Sequence, residues 1–149
     1  MEVYLMKRIE VNKDVCTGCR YCEIVCSLTH EGEVNPRKSR IRIFGDQLNG
    51  LDQPIVCDPI ACKDMPCIES CPVEAIKIDD RLSFPVIDVE ACIGCKACIK
   101  ACPINAIFFD EISKKALKCD LCNGDPQCVK RCVANRYLPH IPDSALKYT

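Results

Sequence analysis

Sixteen of the 149 residues are cysteines, and their spacing determines which chemistry this chain can perform. They fall into four groups along the sequence, and in every group three residues separate the third cysteine from the fourth. The groups are Cys16, Cys19, Cys22 and Cys26, then Cys57, Cys62, Cys67 and Cys71, then Cys92, Cys95, Cys98 and Cys102, and finally Cys119, Cys122, Cys128 and Cys132. Because thiolates are soft metal ligands and no cysteine is left over, the pattern predicts four metal sites with four sulfur ligands each.

The spacing favours an iron–sulfur cluster over a single metal ion. The first and third groups both read C-x2-C-x2-C-x3-C, which is the run that binds 4Fe-4S clusters in bacterial proteins. Zinc sites made of four cysteines usually combine two C-x2-C pairs across a longer spacer. We therefore expect four 4Fe-4S clusters. Zinc or disulfide bonds are the alternative, which is strongest for residues 119–132 because their C-x2-C-x5-C spacing is less diagnostic.

Two internal repeats indicate which cysteines share a cluster. Residues 67–76 match residues 98–107, and residues 11–26 match residues 87–102. In two-cluster proteins of this kind, the fourth cysteine of each run binds the other cluster. The same logic applied to all four groups predicts quartet 1 (Cys16, Cys19, Cys22 and Cys132), quartet 2 (Cys57, Cys62, Cys67 and Cys102), quartet 3 (Cys92, Cys95, Cys98 and Cys71) and quartet 4 (Cys119, Cys122, Cys128 and Cys26), each binding iron in one cluster.

We expect an α+β fold in which short helices and short antiparallel hairpins surround the clusters. Residues 76–79 and 86–89 alternate apolar and polar side chains and predict one hairpin, and residues 7–11 and 40–44 predict a second pair of strands. Residues 45–56 look like a connecting loop, since they contain two glycines and a proline. The segments between the third and fourth cysteines suit single helical turns.

The repeats divide this single 149-residue unit into tandem lobes, each resembling a bacterial ferredoxin with two clusters. Residues 53–110 would form the central lobe, and residues 7–46 with residues 111–136 would form the second lobe from the two chain ends. Residues 137–149 would be a tail. Tryptophan is absent and aromatic residues make up only 5% of the chain, so we expect folding to depend on metal.

Charge and hydropathy exclude several classes of partner. The formal net charge is -1, and sixteen thiolates with four oxidised cluster cores would bring it to about -9, which disfavours nucleic acid. No segment approaches the roughly 20 apolar residues of a membrane span. Charged residues interrupt the first fifteen positions, which argues against a signal peptide. We therefore expect a cytoplasmic protein in a reducing compartment.

The sequence contains no glycine-rich nucleotide loop and no catalytic triad, so we predict no catalytic residue. His30 is most simply a surface-loop histidine, or it donates a hydrogen bond to a cluster or partner. The basic residues 36–40 form a solvated loop or dock an acidic partner. Lys118, Lys130 and Arg131 either raise the potential of a nearby cluster or keep the surface soluble.

The order of the cysteine groups, with Thr-His-Glu-Gly at 29–32, Asn-Pro at 35–36 and Ser-Arg-Ile at 39–41, resembles the four-cluster electron-transfer subunits of bacterial and archaeal molybdenum or tungsten enzymes. Over residues 7–132 the chain looks most like the small subunit of heterodimeric tungsten-containing aldehyde oxidoreductases. That resemblance implies crosswise ligation by the outer groups, a large catalytic subunit with tungsten or molybdenum pterin as partner, and ferredoxin or another protein as electron acceptor. Four residues separate Cys57 from Cys62, where relatives often have two, so Cys57 departs from the family pattern.

Three functions are compatible with the sequence. The first is an electron-transfer subunit of an oxidoreductase such as aldehyde:ferredoxin oxidoreductase, not catalytic by itself. The second is a free polyferredoxin that carries electrons alone. The third is an interaction module whose fold is stabilised by bound zinc. Iron content, the size of the native complex and the metal bound distinguish the three.

Overall fold

Short antiparallel hairpins and short helices make up the computed structural model, which describes residues 6–46, 48–137 and 144–149. The strands in this part of the chain are β1 (Ile9–Val11), β2 (Arg42–Asp46), β3 (Leu51–Ile55), β4 (Ile76–Asp79), β5 (Phe84–Ile87), β6 (Ile107–Asp110), β7 (Lys115–Lys118) and β8 (Leu146–Tyr148). The helices are α1 (Tyr21–Glu31), α2 (Pro59–Cys62), α3 (Pro66–Glu69), α4 (Ala97–Ala101), α5 (Gln127–Lys130) and α6 (Val133–Tyr137), with 3₁₀ turns at Pro36–Lys38 and Leu121–Gly124. The predicted α+β class is confirmed.

A helix spans the step from the third to the fourth cysteine in every group, as the sequence predicts. α1, α3, α4 and α5 occupy these four positions. α1 is the longest of them with 11 residues, and it is followed by Gly32, whose left-handed backbone lets its N–H donate to the carbonyl of Leu28. None of the helices in the described ranges is long and apolar enough to cross a membrane.

The two central hairpins are structural copies of each other. The β4–β5 ladder pairs Ile76 with Ile87, and the β6–β7 ladder pairs Ile107 with Lys118 at the equivalent position. The first hairpin is confirmed, although its second strand starts at Phe84, two residues before the predicted start. The proposed lobe boundary at residue 110 falls at the turn of the second hairpin. The division into lobes stays a prediction.

The predicted pairing of residues 7–11 with residues 40–44 is wrong. β1 pairs with β8, and β2 pairs with β3 in two separate antiparallel sheets. The loop expected over residues 45–56 is also wrong, because most of it belongs to the β2–β3 hairpin. Asp46 accepts hydrogen bonds from the backbone N–H groups of Leu48 and Asn49 at the turn. An aspartate followed by Asn-Gly is a turn signal that the sequence offered.

The C-terminal residues pack back on the chain, so the tail prediction is wrong for residues 144–149. β8 forms a ladder with β1 in which Ile9 lies opposite Tyr148. Leu146 is buried in the same apolar cluster as Ile9. Residues 138–143, which the same prediction covered, lie outside the described residues.

Cysteines are interleaved with the buried apolar side chains throughout the core. One cluster surrounds Ile9, Ile41 and Phe84 and contains five buried cysteines, and a second surrounds Ile76 and Ile107 and contains three. All 16 thiols are free of disulfide bonds. Within the described part of the chain, both apolar clusters contain buried cysteines, and the dependence of folding on metal stays a prediction.

Asn135 holds the C-terminal strand in place through hydrogen bonds, and its replacement by alanine should destabilise the fold. Its Oδ1 accepts a hydrogen bond from the N–H of Ala145 at 2.9 Å, and its Nδ2 donates to the carbonyl of Leu146 at 2.7 Å. We expect Asn135→Ala to lower the free energy of unfolding by about 1–3 kcal/mol, because two buried backbone groups lose their partner. Anaerobic thermal unfolding measures this change.

Asn49→Ala provides the matched control. The Asn49 side chain is exposed, and among the described residues its hydrogen bond goes to Asp46 within the same turn. We expect this change to cost less than about 0.5 kcal/mol. Equal destabilisation by the two variants would contradict the role assigned to Asn135.

Candidate metal centres

Three cavities are each lined by four cysteines that come from two separate stretches of chain. The cysteines lining them are those of quartet 1, quartet 3 and quartet 4, in that order. In each case three consecutive cysteines of one group meet the fourth cysteine of another group.

The cysteines of quartet 2 also lie close enough together to interact through their charges. Burial raises the pKa of the Cys67 thiol to about 11, the nearby Lys118 ammonium opposes this shift, and the charges of the other three cysteines of the quartet raise the pKa further. The structure therefore brings together the same four quartets that the repeats indicate. That these cysteines bind iron stays a prediction.

A one-turn helix explains the unusual spacing between Cys57 and Cys62. The two extra residues belong to α2, which begins at Pro59 and ends at Cys62. The Asp58 carboxylate caps this helix by accepting hydrogen bonds from the N–H groups of Ile60 and Ala61 at 3.0 and 3.3 Å. The insertion is thus wound into a helical turn, and Cys57 remains within reach of its quartet.

The loop between the first two cysteines of a group adopts left-handed backbone. Gly18 has φ 67° and Gly94 has φ 71°, and Leu121 takes the same position in the last group with φ 54°. Arg20 and Lys96, which follow the second cysteine, are also left-handed. This backbone curls the loop around the sulfurs. The glycines are readable from the sequence, whereas nothing in Arg20 or Lys96 signals the conformation.

Backbone N–H groups point at the fourth cysteine of the two central groups. The N–H of Ala75 lies 3.2 Å from the sulfur of Cys71, and the N–H of Ala106 lies 3.3 Å from the sulfur of Cys102. Each donor comes four residues after its cysteine, at the end of the turn that Pro72 or Pro103 begins. Hydrogen bonds of this kind favour the charged thiolate, so the donor set fits sulfur that is bound to a metal.

In the first group a backbone N–H also points at the fourth cysteine, but it comes from an inserted segment and not from a turn that begins with proline. The N–H of Arg40 donates to the sulfur of Cys26 at 3.2 Å, fourteen residues further along the chain. Ser27 stands where the two central groups have proline, and its buried hydroxyl accepts a hydrogen bond from the N–H of Asn35 at 3.1 Å. The inserted segment is thus tied back to α1. The solvated loop predicted for residues 36–40 does not describe Arg40, whose side chain is largely buried in an ion pair with Glu31.

His30 lies on α1 against quartet 4, so its interpretation as a surface-loop histidine is wrong. Its side chain is 11% exposed, and its Nε2 lies 2.8 Å from Oδ1 of Asp120. Its Nδ1 lies 2.9 Å from the carbonyl oxygen of Cys26. Burial lowers the pKa of His30, but the hydrogen bonds to Asp120 and Cys26 outweigh it and raise the pKa to about 10. The charged ring lies beside a predicted ligand sulfur.

Comparison with known proteins identifies the class. The 4Fe-4S binding domain family matches residues 85–108, which contain the third cysteine group. The polyferredoxin-like subunit of an aliphatic sulfonate oxidoreductase from Pyrococcus furiosus is 40% identical over 124 residues, which cover 83% of this chain and 70% of that protein. An uncharacterized ferredoxin from Methanocaldococcus jannaschii is 39% identical over 130 residues, covering 85% of this chain and 74% of the relative.

A solved structure agrees with these relatives. The active site complex BamBC of benzoyl coenzyme A reductase contains a chain that matches this one with a TM-score of 0.54 and 27% identity, over 97% of this chain and 76% of that one. The chain belongs to the family of ferredoxin-type 4Fe-4S proteins, and one of the relatives that it matches is described as a subunit of an oxidoreductase. It is an iron–sulfur protein, and its cysteine quartets are the features that suit this cofactor.

Gly94→Ala should disrupt the centre at quartet 3 more severely than Gly18→Ala disrupts that at quartet 1. A Cβ at Gly94 would overlap the backbone carbonyl oxygen of Lys114, whereas a Cβ at Gly18 would overlap the Asp52 carboxylate, which can turn away. Both positions have positive φ. We expect Gly94→Ala to lose about four iron atoms per chain, as measured by elemental analysis.

The double variant Gly18→Ala with Asp52→Ala tests the cause of the smaller effect. Removing the carboxylate that a Cβ at Gly18 would meet leaves only the backbone strain of that position. We expect the double variant to retain more iron than Gly18→Ala alone. An iron content for Gly94→Ala equal to that of the unaltered protein would refute the steric argument.

Proposed function

We propose that this chain carries four 4Fe-4S clusters, one at each quartet, and relays electrons between a large catalytic subunit and an electron acceptor. The observation that carries the proposal is the assembly of sixteen free cysteines into four quartets, each drawn from two stretches of chain. A bound 4Fe-4S cluster supplies one-electron carriage. The protein supplies the ligands, the hydrogen bonds to sulfur and the spacing between centres.

The quartets are proposed to act in the order 3, 2, 4, 1. Cys67 and Cys71 lie one helical turn apart and link quartets 2 and 3, and Cys22 and Cys26 link quartets 1 and 4 in the same way. Quartets 2 and 4 adjoin each other, since Cys57 and Cys119 are buried in the same apolar cluster and Nζ of Lys118 contacts both the sulfur of Cys57 and the carbonyl oxygen of Cys119. This order gives a single route through the molecule.

Solvent exposure marks the two ends of that route. Cys19 in quartet 1 and Cys95 in quartet 3 are exposed, whereas every cysteine of quartets 2 and 4 is buried or half-buried. Electrons exchanged with other proteins would therefore enter at one exposed end and leave at the other. Two accessible ends separated by a protected interior suit a subunit that connects two partners.

The identity of the partner is the finer part of the proposal. One relative is described as a subunit of an aliphatic sulfonate oxidoreductase, and the matched structure is a complex of benzoyl coenzyme A reductase. These assemblies support a large catalytic subunit for this chain. We propose a tungsten or molybdenum pterin enzyme of the aldehyde oxidoreductase kind, with ferredoxin as acceptor. A free polyferredoxin is the second candidate, because another relative is described as a ferredoxin.

The crosswise sharing of ligands predicts opposite results for two double variants. Cys95 and Cys71 belong to the same quartet although they come from different groups, whereas Cys95 and Cys102 share a group but belong to different quartets. We expect Cys71→Ala with Cys95→Ala to disrupt one 4Fe-4S cluster, and Cys95→Ala with Cys102→Ala to disrupt two. Spin quantification of the reduced clusters by electron paramagnetic resonance counts them.

The unaltered chain serves as the reference and should hold about sixteen iron atoms and as many inorganic sulfides. If each group bound its own cluster, the two double variants would exchange their results. A colourless protein that holds zinc would overturn the proposed function as a whole.

The size of the native complex separates a subunit from a free carrier. A free polyferredoxin would elute from an anaerobic sizing column near its own mass of 16.7 kDa. We expect the chain in native extract to elute several-fold larger, together with a second polypeptide that contains tungsten or molybdenum. Elution of all the protein at the mass of one chain would rule out a stable partner.

A further inference from the structure

Lys118 places a cationic side chain inside the protein, against a cysteine sulfur. The residue is 1% exposed, so its interpretation as a surface residue is wrong. Its Nζ lies 3.1 Å from the sulfur of Cys57, within hydrogen-bond distance of the carbonyl oxygen of Pro85, and 3.5 Å from that of Cys119. All three contacts are acceptors, which matches the three N–H donors of an ammonium group.

The charge of Lys118 has no carboxylate partner among the described residues. None of the ion pairs found in residues 6–46, 48–137 and 144–149 includes it. The Phe84 ring lies 4.5 Å from its Nζ and contributes a cation–π contact. A buried charge costs several kcal/mol unless it is paired. The anionic group available to Lys118 is therefore the sulfur of Cys57, as a metal-bound thiolate.

The internal repeat supplies a built-in comparison for this lysine. Lys118 ends β7 opposite Ile107, and the equivalent residue of the first hairpin is Ile87, which ends β5 opposite Ile76. Ile87 lines the cavity of quartet 3. The two central centres thus have matching hairpins, but an apolar side chain faces one of them and a cation faces the other.

We propose that Lys118 raises the reduction potential of the centre at quartet 2 above that of its repeat partner at quartet 3. The inference rests on the proposed assignment of clusters to the quartets. A fixed positive charge stabilises the reduced centre, which carries one more negative charge than the oxidised centre. When the centre at quartet 2 is reduced, it gains one electron that a neighbouring centre loses. No bond is made or broken, and no proton is transferred. Burial raises the pKa of the Cys57 thiol, and the Lys118 charge acts against that rise.

Three variants test the role of this charge. Lys118→Ile installs the side chain that the repeat has at this position, and Lys118→Arg keeps the charge. Lys77→Ile removes an exposed lysine from β4 and is the control for net charge. We expect Lys118→Ile to lower the potential of one cluster by at least about 59 mV, a tenfold change in its one-electron equilibrium. Lys118→Arg should shift the same potential far less, and Lys77→Ile should leave all potentials unchanged.

Potentiometric titration followed by electron paramagnetic resonance measures these values, and iron and sulfide are determined on every sample. Unchanged potentials in Lys118→Ile with full iron content would overturn the role of Lys118 and leave the proposed function intact. A low iron content in the unaltered chain would overturn the proposed function, and this inference with it.

A measurement on the unaltered protein covers the case in which Lys118→Ile fails to assemble. Protein made with isotope-labelled lysine nitrogen is reduced and examined by pulsed electron paramagnetic resonance. We expect a hyperfine coupling from one lysine nitrogen to one cluster, because Nζ donates directly to a ligand sulfur. The absence of any lysine coupling to the reduced clusters would overturn the proposal.

Discussion

The sharing of every cysteine quartet between two distant stretches of chain is the constraint on which the rest of this structure depends. The helices that carry the third cysteine of each group have four to 11 residues, and the strands have three to five, so none of them would be stable alone. The third and fourth cysteines of each group belong to two different quartets. Buried apolar side chains pack against these quartets, which makes the cysteine sulfurs part of the core.

Local features of the sequence predicted the parts of the fold that local spacing controls. The repeats at residues 67–76 and 98–107 indicated the hairpins, the helical turns and the membership of the quartets. The strand partner of β1 could not be predicted, since β1 has three residues and its partner lies more than 130 positions away. A strand so short carries no alternation that could select its neighbour. Asn135 acts through backbone groups that only the folded chain brings to it.

The burial of two polar side chains beside sulfur was the part of the site that the sequence did not determine. Histidine and lysine are usually exposed, so His30 read most simply as a surface residue, and the sequence left open whether Lys118 raises the potential of a nearby cluster or keeps the surface soluble. In the fold, Asp120 lies against His30 and the sulfur of Cys57 lies against Lys118. Each contact joins residues at least sixty positions apart. Both side chains place positive charge beside thiols that would be anionic as metal ligands. This placement suits a protein whose ligand thiolates would carry negative charge that the formal net charge does not count.

The positions along the chain of the cysteines that share a quartet, and of the strands that pair, have a consequence for biosynthesis. All cysteines of quartets 2 and 3 have left the ribosome once Cys102 has emerged, so the middle of the molecule can mature early. The first cysteines to be made, in quartet 1, must wait for Cys132, and β1 must wait for β8 at the other terminus. The earliest part of the polypeptide is therefore the last to be completed.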